Sequence, residues 1–156
     1  MDLFETWNSS EALSHLIYLV VAYLLALPIG WNREREERSA GLRTFPLVSM
    51  AACGFVMIAI EVVGRENPEA QARIMEGLIT GMGFIGGGAI LKQGNRAKGT
   101  ATAASLWGTG AVGVAVGYGQ LDIAVILSLV TVLTLIAMTP LRRVVQEHTD
   151  LDEDDV

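Results

Sequence analysis

Five apolar stretches, at residues 13–31, 45–63, 74–91, 100–116 and 123–138, constrain this chain more than any other feature. Each comes near the ~17 to 25 residues that a helix needs to cross the hydrocarbon of a bilayer. The breaks between them, at 32–44, 64–73, 92–99 and 117–122, are rich in charge or glycine, as connections are. A soluble helical bundle is the alternative, but its helices would carry polar faces and these stretches have almost none. With 51% hydrophobic and 18% charged residues and a mean hydropathy of +0.43, the composition favours the membrane. The expectation is an all-α membrane protein, a bundle of five transmembrane helices within residues 1–140. An acidic tail at 141–156 extends the last helix by a turn or two and then trails off.

Basic residues set the direction. Arg33, Arg35, Arg38 and Arg43 fall in the first connection, Lys92, Arg96 and Lys98 in the third, and Arg142 and Arg143 after the last span; only Arg65 and Arg73 fall on the other side. The positive-inside bias then puts the amino terminus outside and the carboxyl terminus in the cytoplasm. No Lys or Arg precedes Arg33, so the first apolar stretch reads as a retained helix rather than a cleaved signal peptide. The formal net charge of -6 owes much to Asp150, Asp152, Glu153, Asp154 and Asp155, and nothing in the charge pattern suggests a nucleic-acid partner.

The glycine run from Gly77 to Gly88 has two incompatible readings. Gly81, Gly83 and Gly86 match the spacing of a dinucleotide fingerprint, which needs a preceding strand and an acid about 20 residues on. The next carboxylate after Glu76 is Asp122, and no β-branched run precedes the glycines, so that reading fails. As a membrane helix, the run puts Gly77, Gly81 and Gly88 on one side and Gly83, Gly86 and Gly87 roughly opposite. Small residues let helices approach closely in lipid, so the third helix is expected to be the central one. The other reading of the same glycines is a broken helix whose carbonyls face an ion or substrate.

The fourth span has Gly108 and Gly113 for close packing and a stripe of Thr102, Ser105 and Thr109. Such hydroxyls bond to carbonyls of their own helix or a neighbour, or line a solute path. Between Glu76 and Lys92 lie fifteen uncharged residues, about 22 Å of helix at ~1.5 Å per residue, against a core of ~30 Å. Either the bilayer thins or Glu76 is drawn into its outer edge, and Glu61 faces a similar depth; Asp122 lies on the same outer side. Together they form an acidic vestibule for cations, or each sits among headgroups or pairs with Arg65 or Arg73. Cys53 is the single cysteine and reads as a small buried hydrophobe; His15 and His148 are too far apart to make a metal pair or triad. No enzyme chemistry and no cofactor is expected, and the metal-binding residues stay unassigned.

In the first connection, Arg33 with Glu37 and Glu34 with Arg38 can pair along a solvated helix end, Gly41 suits a helix stop, and Thr44 with Pro46 a new start. Arg33, Glu34 and Arg35 followed by Ala40, Gly41, Leu42, Arg43 and Thr44, then Arg73 and Ile74 with the run from Gly81 to Gly88 and Ile90 and Leu91, then Thr102 to Trp107, resemble the MgtC/SapB family of bacterial inner-membrane proteins. The matching blocks lie in order across about residues 30–117. The resemblance implies a multi-pass inner-membrane protein linked to magnesium homeostasis and, in some pathogens, to survival inside host cells. Some members resemble regulators of ATP synthase or magnesium-transporting ATPases, and longer ones carry a soluble carboxyl-terminal domain that these residues do not include. Two expectations follow. One is a small bundle, homo-oligomeric, that moves or senses a cation such as magnesium; the other is a regulator that docks its small-residue faces on another membrane protein.

Overall fold

The computed structural model describes residues 8–36, 40–93 and 96–153, with side chains described except at 93, 96 and 141–153. Five helices and a hairpin follow in order: α1 Ser9–Arg35, α2 Thr44–Val63, α3 Pro68–Gly88, β1 Leu91–Gln93, β2 Arg96–Lys98, α4 Thr100–Gly117 and α5 Leu121–Glu153. Local chemistry accounts for several of the ends. Asn8 caps α1 by accepting from the Ser10 N–H, with Glu11 in the first turn and Arg33 and Arg35 in the last, the charge order that a helix dipole favours. Asn67 caps α3 through the Ala70 N–H, and Pro68 takes the first helical position, where no amide hydrogen is needed. Gly64, at φ 76°, ends α2 in a conformation that a side chain would resist.

Helices that follow one another along the chain run in alternating directions. Gly30 of α1 meets Phe45 of α2 while Gly54 meets Leu19, an antiparallel pairing. Ser49 of α2 meets Gly113 of α4 while Cys53 and Val56 meet Gly117, so these two helices are parallel. Gly86 of α3 meets Ala103 and Met82 meets Gly110, again antiparallel. One end of the bundle therefore gathers the α1–α2 connection, the hairpin and Arg33, Arg35, Arg43, Lys92 and Lys98; this is the basic end. Arg65 and Glu66, in the α2–α3 connection, and Glu61, Glu69 and Asp122, in the helix ends beside the connections, lie at the other end.

The central helix is α4, not α3, which corrects the expectation from the glycine run. α4 touches all four other helices, and eleven of its residues are buried, against two in α3. The reason is the number of small faces. Along α4, Gly110 faces Met82 of α3, Gly113 and Gly117 face α2, and Gly108 faces Thr131 of α5. At Gly113 a Cβ would overlap the Ser49 carbonyl, and at Gly117 it would lie 2.7 Å from Val56 Cβ and 2.9 Å from the Cys53 carbonyl oxygen. In α3, by contrast, Gly77, Gly81, Gly83, Gly87 and Gly88 have no such neighbour within 4 Å, and only Gly86 makes a close approach, 3.3 Å to the Ala103 carbonyl. Glycine permits contact without choosing a partner, and α3 lies at the edge, against α4 and more sparsely α2.

Three packed clusters make the core: Ala22, Cys53, Val112, Val116 and Ala124 at mid-bundle, Ile29, Ala40, Phe45 and Leu106 at the basic end, and Ala52, Val56 and Val114 toward α3. Among the described residues, three helices are long and apolar enough to cross a membrane: α1, α2 and α5 over Leu121–Pro140. α3 and α4 fall short by that measure, because α3 carries Glu69, Arg73 and Glu76 and α4 is rich in Gly, Thr and Ser. The boundaries differ locally, and α3 begins at Pro68, inside the connection expected at 64–73, because Asn67 and Pro68 start the helix there. The connection expected at 92–99 contains an antiparallel hairpin, Lys92 opposite Ala97, and α5 continues to Glu153 where a tail was expected to leave the helix.

Candidate functional site

The motif of the first connection folds into a lock at the basic end. Glu34, on the last turn of α1, accepts a hydrogen bond from the Leu42 N–H at 3.1 Å, and its carboxylate fills the space that a Cβ on Gly41 would need. Gly30, one turn earlier, stands 3.2 Å from the Gly41 carbonyl and 3.3 Å from Phe45 Cβ by the same measure. Arg33 is buried beside this cluster's helix end, whereas Arg35 and Arg43 are exposed and Thr44 opens α2 half-buried. The pairing partners Glu37 and Arg38 lie outside the described residues. Glu34 thus serves chain closure, and Arg43 is left facing outward.

The hydroxyl stripe lies inside the bundle. Ser105 donates to the Ala101 carbonyl at 2.8 Å and the Thr102 carbonyl at 3.0 Å, and Thr109 donates to the Ser105 carbonyl at 2.7 Å. Ser105 and Thr109 therefore satisfy themselves on their own helix. Thr102 Oγ1 and, on α2, Ser49 Oγ are buried and find no hydrogen-bond partner among the described residues. Ser49 and Gly110 were missed in the sequence. For Gly110 the signal was its spacing from Gly113 and Gly117, i, i+3 and i+7, which puts three small positions on neighbouring sides of α4, toward α3 and α2.

Glu61, Glu76 and Asp122 are all exposed. Among the described residues, no three of His, Cys, Asp and Glu stand together so as to hold a metal ion. Arg73 pairs with Glu69 at 3.0 Å, not with Glu61 or Glu76. Near them, Tyr118 of α4 donates to Gln71 Oε1 of α3 at 2.6 Å, and Gln71 Nε2 donates to the Gly64 carbonyl at 2.8 Å. These bonds tie α3 at the acid-bearing end; Gly86 against Ala103 ties it near the basic end.

Between those ties α3 stands off, with an open cleft on each side. The larger, of 940 Å³, lies between α2 and α3 and is lined by Leu47, Ala51, Phe55, Gly77, Gly81 and Ile85 among others. The second, of 430 Å³, separates α3 from α4 and α5 and is bordered by Ile79, Trp107 and Tyr118. A third, more polar notch of 560 Å³ lies between α1 and α5 beside Trp31, Asn32 and Arg35. Thr102, Ser105 and Thr109 border none of these three. On the remaining face of α3, Gly83 and Gly87 flank Phe84, which is 85% exposed.

The MgtC family model matches residues 19–144. The uncharacterized protein slr0014 of Synechocystis is 38% identical over 135 residues, covering 86% of this chain and 54% of that protein. Protein SrpB of Synechococcus elongatus is 36% identical over 81% of this chain and 75% of its own length. Protein MgtC of Salmonella typhimurium is 34% identical over 88% of this chain and 56% of its own. The chain thus spans a little over half of slr0014 and of the Salmonella protein. No solved structure matches it.

Proposed function

Because the chain belongs to the MgtC family, we propose that it is a multi-pass protein of the bacterial inner membrane that serves magnesium homeostasis as a non-conducting, non-enzymatic regulator. It crosses five times, amino terminus outside, with its basic end in the cytoplasm where the positive-inside bias puts Lys and Arg. α3 and α4, the less apolar helices, cross in the company of the other three.

The observation that carries this reading is the outward face of α3. Gly83 and Gly87, four residues apart, form one strip of open backbone alongside exposed Phe84, the pattern on which a second membrane helix packs closely. The hydroxyl hydrogens of Ser105 and Thr109 go to carbonyls of their own helix, and neither residue borders any of the three clefts. The docked partner is another membrane protein; ATP synthase and magnesium-transporting ATPases are the first candidates. Self-association through the same face gives the homo-oligomer. Affinity purification from membranes of cells grown at limiting magnesium tests this: a partner retained by the wild type should fall more than tenfold with Gly83→Leu, which still inserts. Equal retention by Gly83→Leu would refute docking through this face. A second reading, a cation path, is favoured by one observation, the unpartnered buried hydroxyls of Ser49 and Thr102.

A further inference from the structure

The cleft between α2 and α3 has a chemistry of its own, apart from the Gly83–Gly87 face. Its walls are aliphatic and aromatic side chains and bare glycine backbone, and among the described residues its one charged lining residue is Arg43, with Thr44 beside it at the basic end. From Leu47 to Val62 the groove follows α2 for about 22 Å at ~1.5 Å per residue, longer than one leaflet of a ~30 Å hydrocarbon core. Gly77 and Gly81 widen it, because no side chain rises from either and nothing lies within 4 Å of them there. The first turn of α2 holds no acid, and Arg43, at its capping position, makes no side-chain capping bond.

We propose that this groove holds an anionic glycerophospholipid of the cytoplasmic leaflet, an acyl chain lying along Phe55, Gly77 and Gly81 and the phosphate against the Arg43 guanidinium and Thr44 hydroxyl. An amphiphile with one anionic end and a long apolar body matches a groove with one cation at one end and no other charge. A second copy of this chain fits less well. Packed side by side in the same orientation, it would bring its own basic end, with Arg35, Arg43, Lys92 and Lys98, to the Arg43 of the first. At that end Glu34 is already engaged with the Leu42 N–H and Glu36 is half-buried and already partnered, and the exposed carboxylates Glu61, Glu66, Glu69 and Asp122 lie at the other.

The test is lipid retention by the purified full chain, read by mass spectrometry after exchange into vesicles of phosphatidylglycerol or phosphatidylcholine with identical acyl chains and detergent extraction. The wild type should retain phosphatidylglycerol at least tenfold over phosphatidylcholine. Arg43→Gln should reduce that ratio to near one while Arg43→Lys keeps most of it, and Lys98→Gln, which removes a cation outside the groove, should leave it unchanged. Gly81→Leu, which fills the groove, should reduce retention of both lipids. Equal retention of the two lipids by the wild type, or an unchanged ratio in Arg43→Gln, would overturn the proposal. So would efficient disulfide formation between copies carrying Ala51→Cys in a Cys53→Ser background, which would put a second chain in the groove. None of these outcomes depends on whether the Gly83–Gly87 face docks a partner, so the two proposals fail separately.

Discussion

If α4 is the axis of the bundle, adding one methyl group at Gly113 should unsettle the fold while the same change at Gly81 should not. At Gly113 the obstacle is the Ser49 carbonyl, part of a helix backbone, so no side chain can rotate away and α2 must move. That shift loosens the contacts of Phe45, Cys53 and Val56, all fully buried, on the face of α2 that meets α4. Overpacking a tight core costs about 1–3 kcal/mol, and a backbone obstacle puts Gly113→Ala at the upper end, ~2–3 kcal/mol even after the helix-propensity gain of Ala over Gly. At roughly 2–4 °C per kcal/mol for a chain of this size, the midpoint should fall by about 4–12 °C. Gly81 has open space, so Gly81→Ala should be neutral or raise the midpoint slightly, by up to ~1 kcal/mol of propensity. Cys53, the single cysteine and fully buried, supplies the assay: a maleimide dye in detergent reacts as the bundle opens on heating. A larger loss of stability in Gly81→Ala than in Gly113→Ala would refute the placement of α4 at the centre.

Three further substitutions probe the ties between helices. Glu34→Ala removes the acceptor for the Leu42 N–H and should cost about 1 kcal/mol, with faster proteolysis of the α1–α2 connection. Tyr118→Phe removes the bond to Gln71 and should speed hydrogen exchange of the first turns of α3 while leaving α1 and α5 unchanged. Ser128→Ala deletes the donor to the Leu25 carbonyl at 2.7 Å and should lower stability by ~0.6 to 2 kcal/mol, measured by the same thiol assay.

How much of this was legible in the sequence depended on range. The helices were, because apolar runs act locally, but the start of α3 was not: Asn67 caps it and Pro68 opens it six residues before the apolar stretch begins. The hairpin was not: Leu91 to Lys98 is too short and polar to show a strand period, and Gly99, at φ 93°, has no side chain because a Cβ would overlap the Ala89 carbonyl, a contact only the folded chain reveals. The placement of α3 failed for a similar reason. A dense glycine run such as Gly81 to Gly88 draws the eye more than Gly108, Gly110, Gly113 and Gly117, yet only the latter set has neighbours on three sides. The motif from Arg33 to Thr44 was visible as a pattern, but its role needed the approach of Glu34 to Gly41 and Leu42, eight positions apart in the case of the hydrogen bond.

The claim that this family member acts without conducting a cation is tested most directly in sealed liposomes. The purified chain is reconstituted with a trapped magnesium indicator, a gradient of magnesium is imposed, and uptake is compared with empty liposomes and with an ionophore control. Uptake no faster than in empty vesicles is the expected result. Protein-dependent magnesium entry that saturates with concentration and is altered by Thr102→Val or Ser49→Ala would contradict it, and would move those two buried hydroxyls from packing into a path.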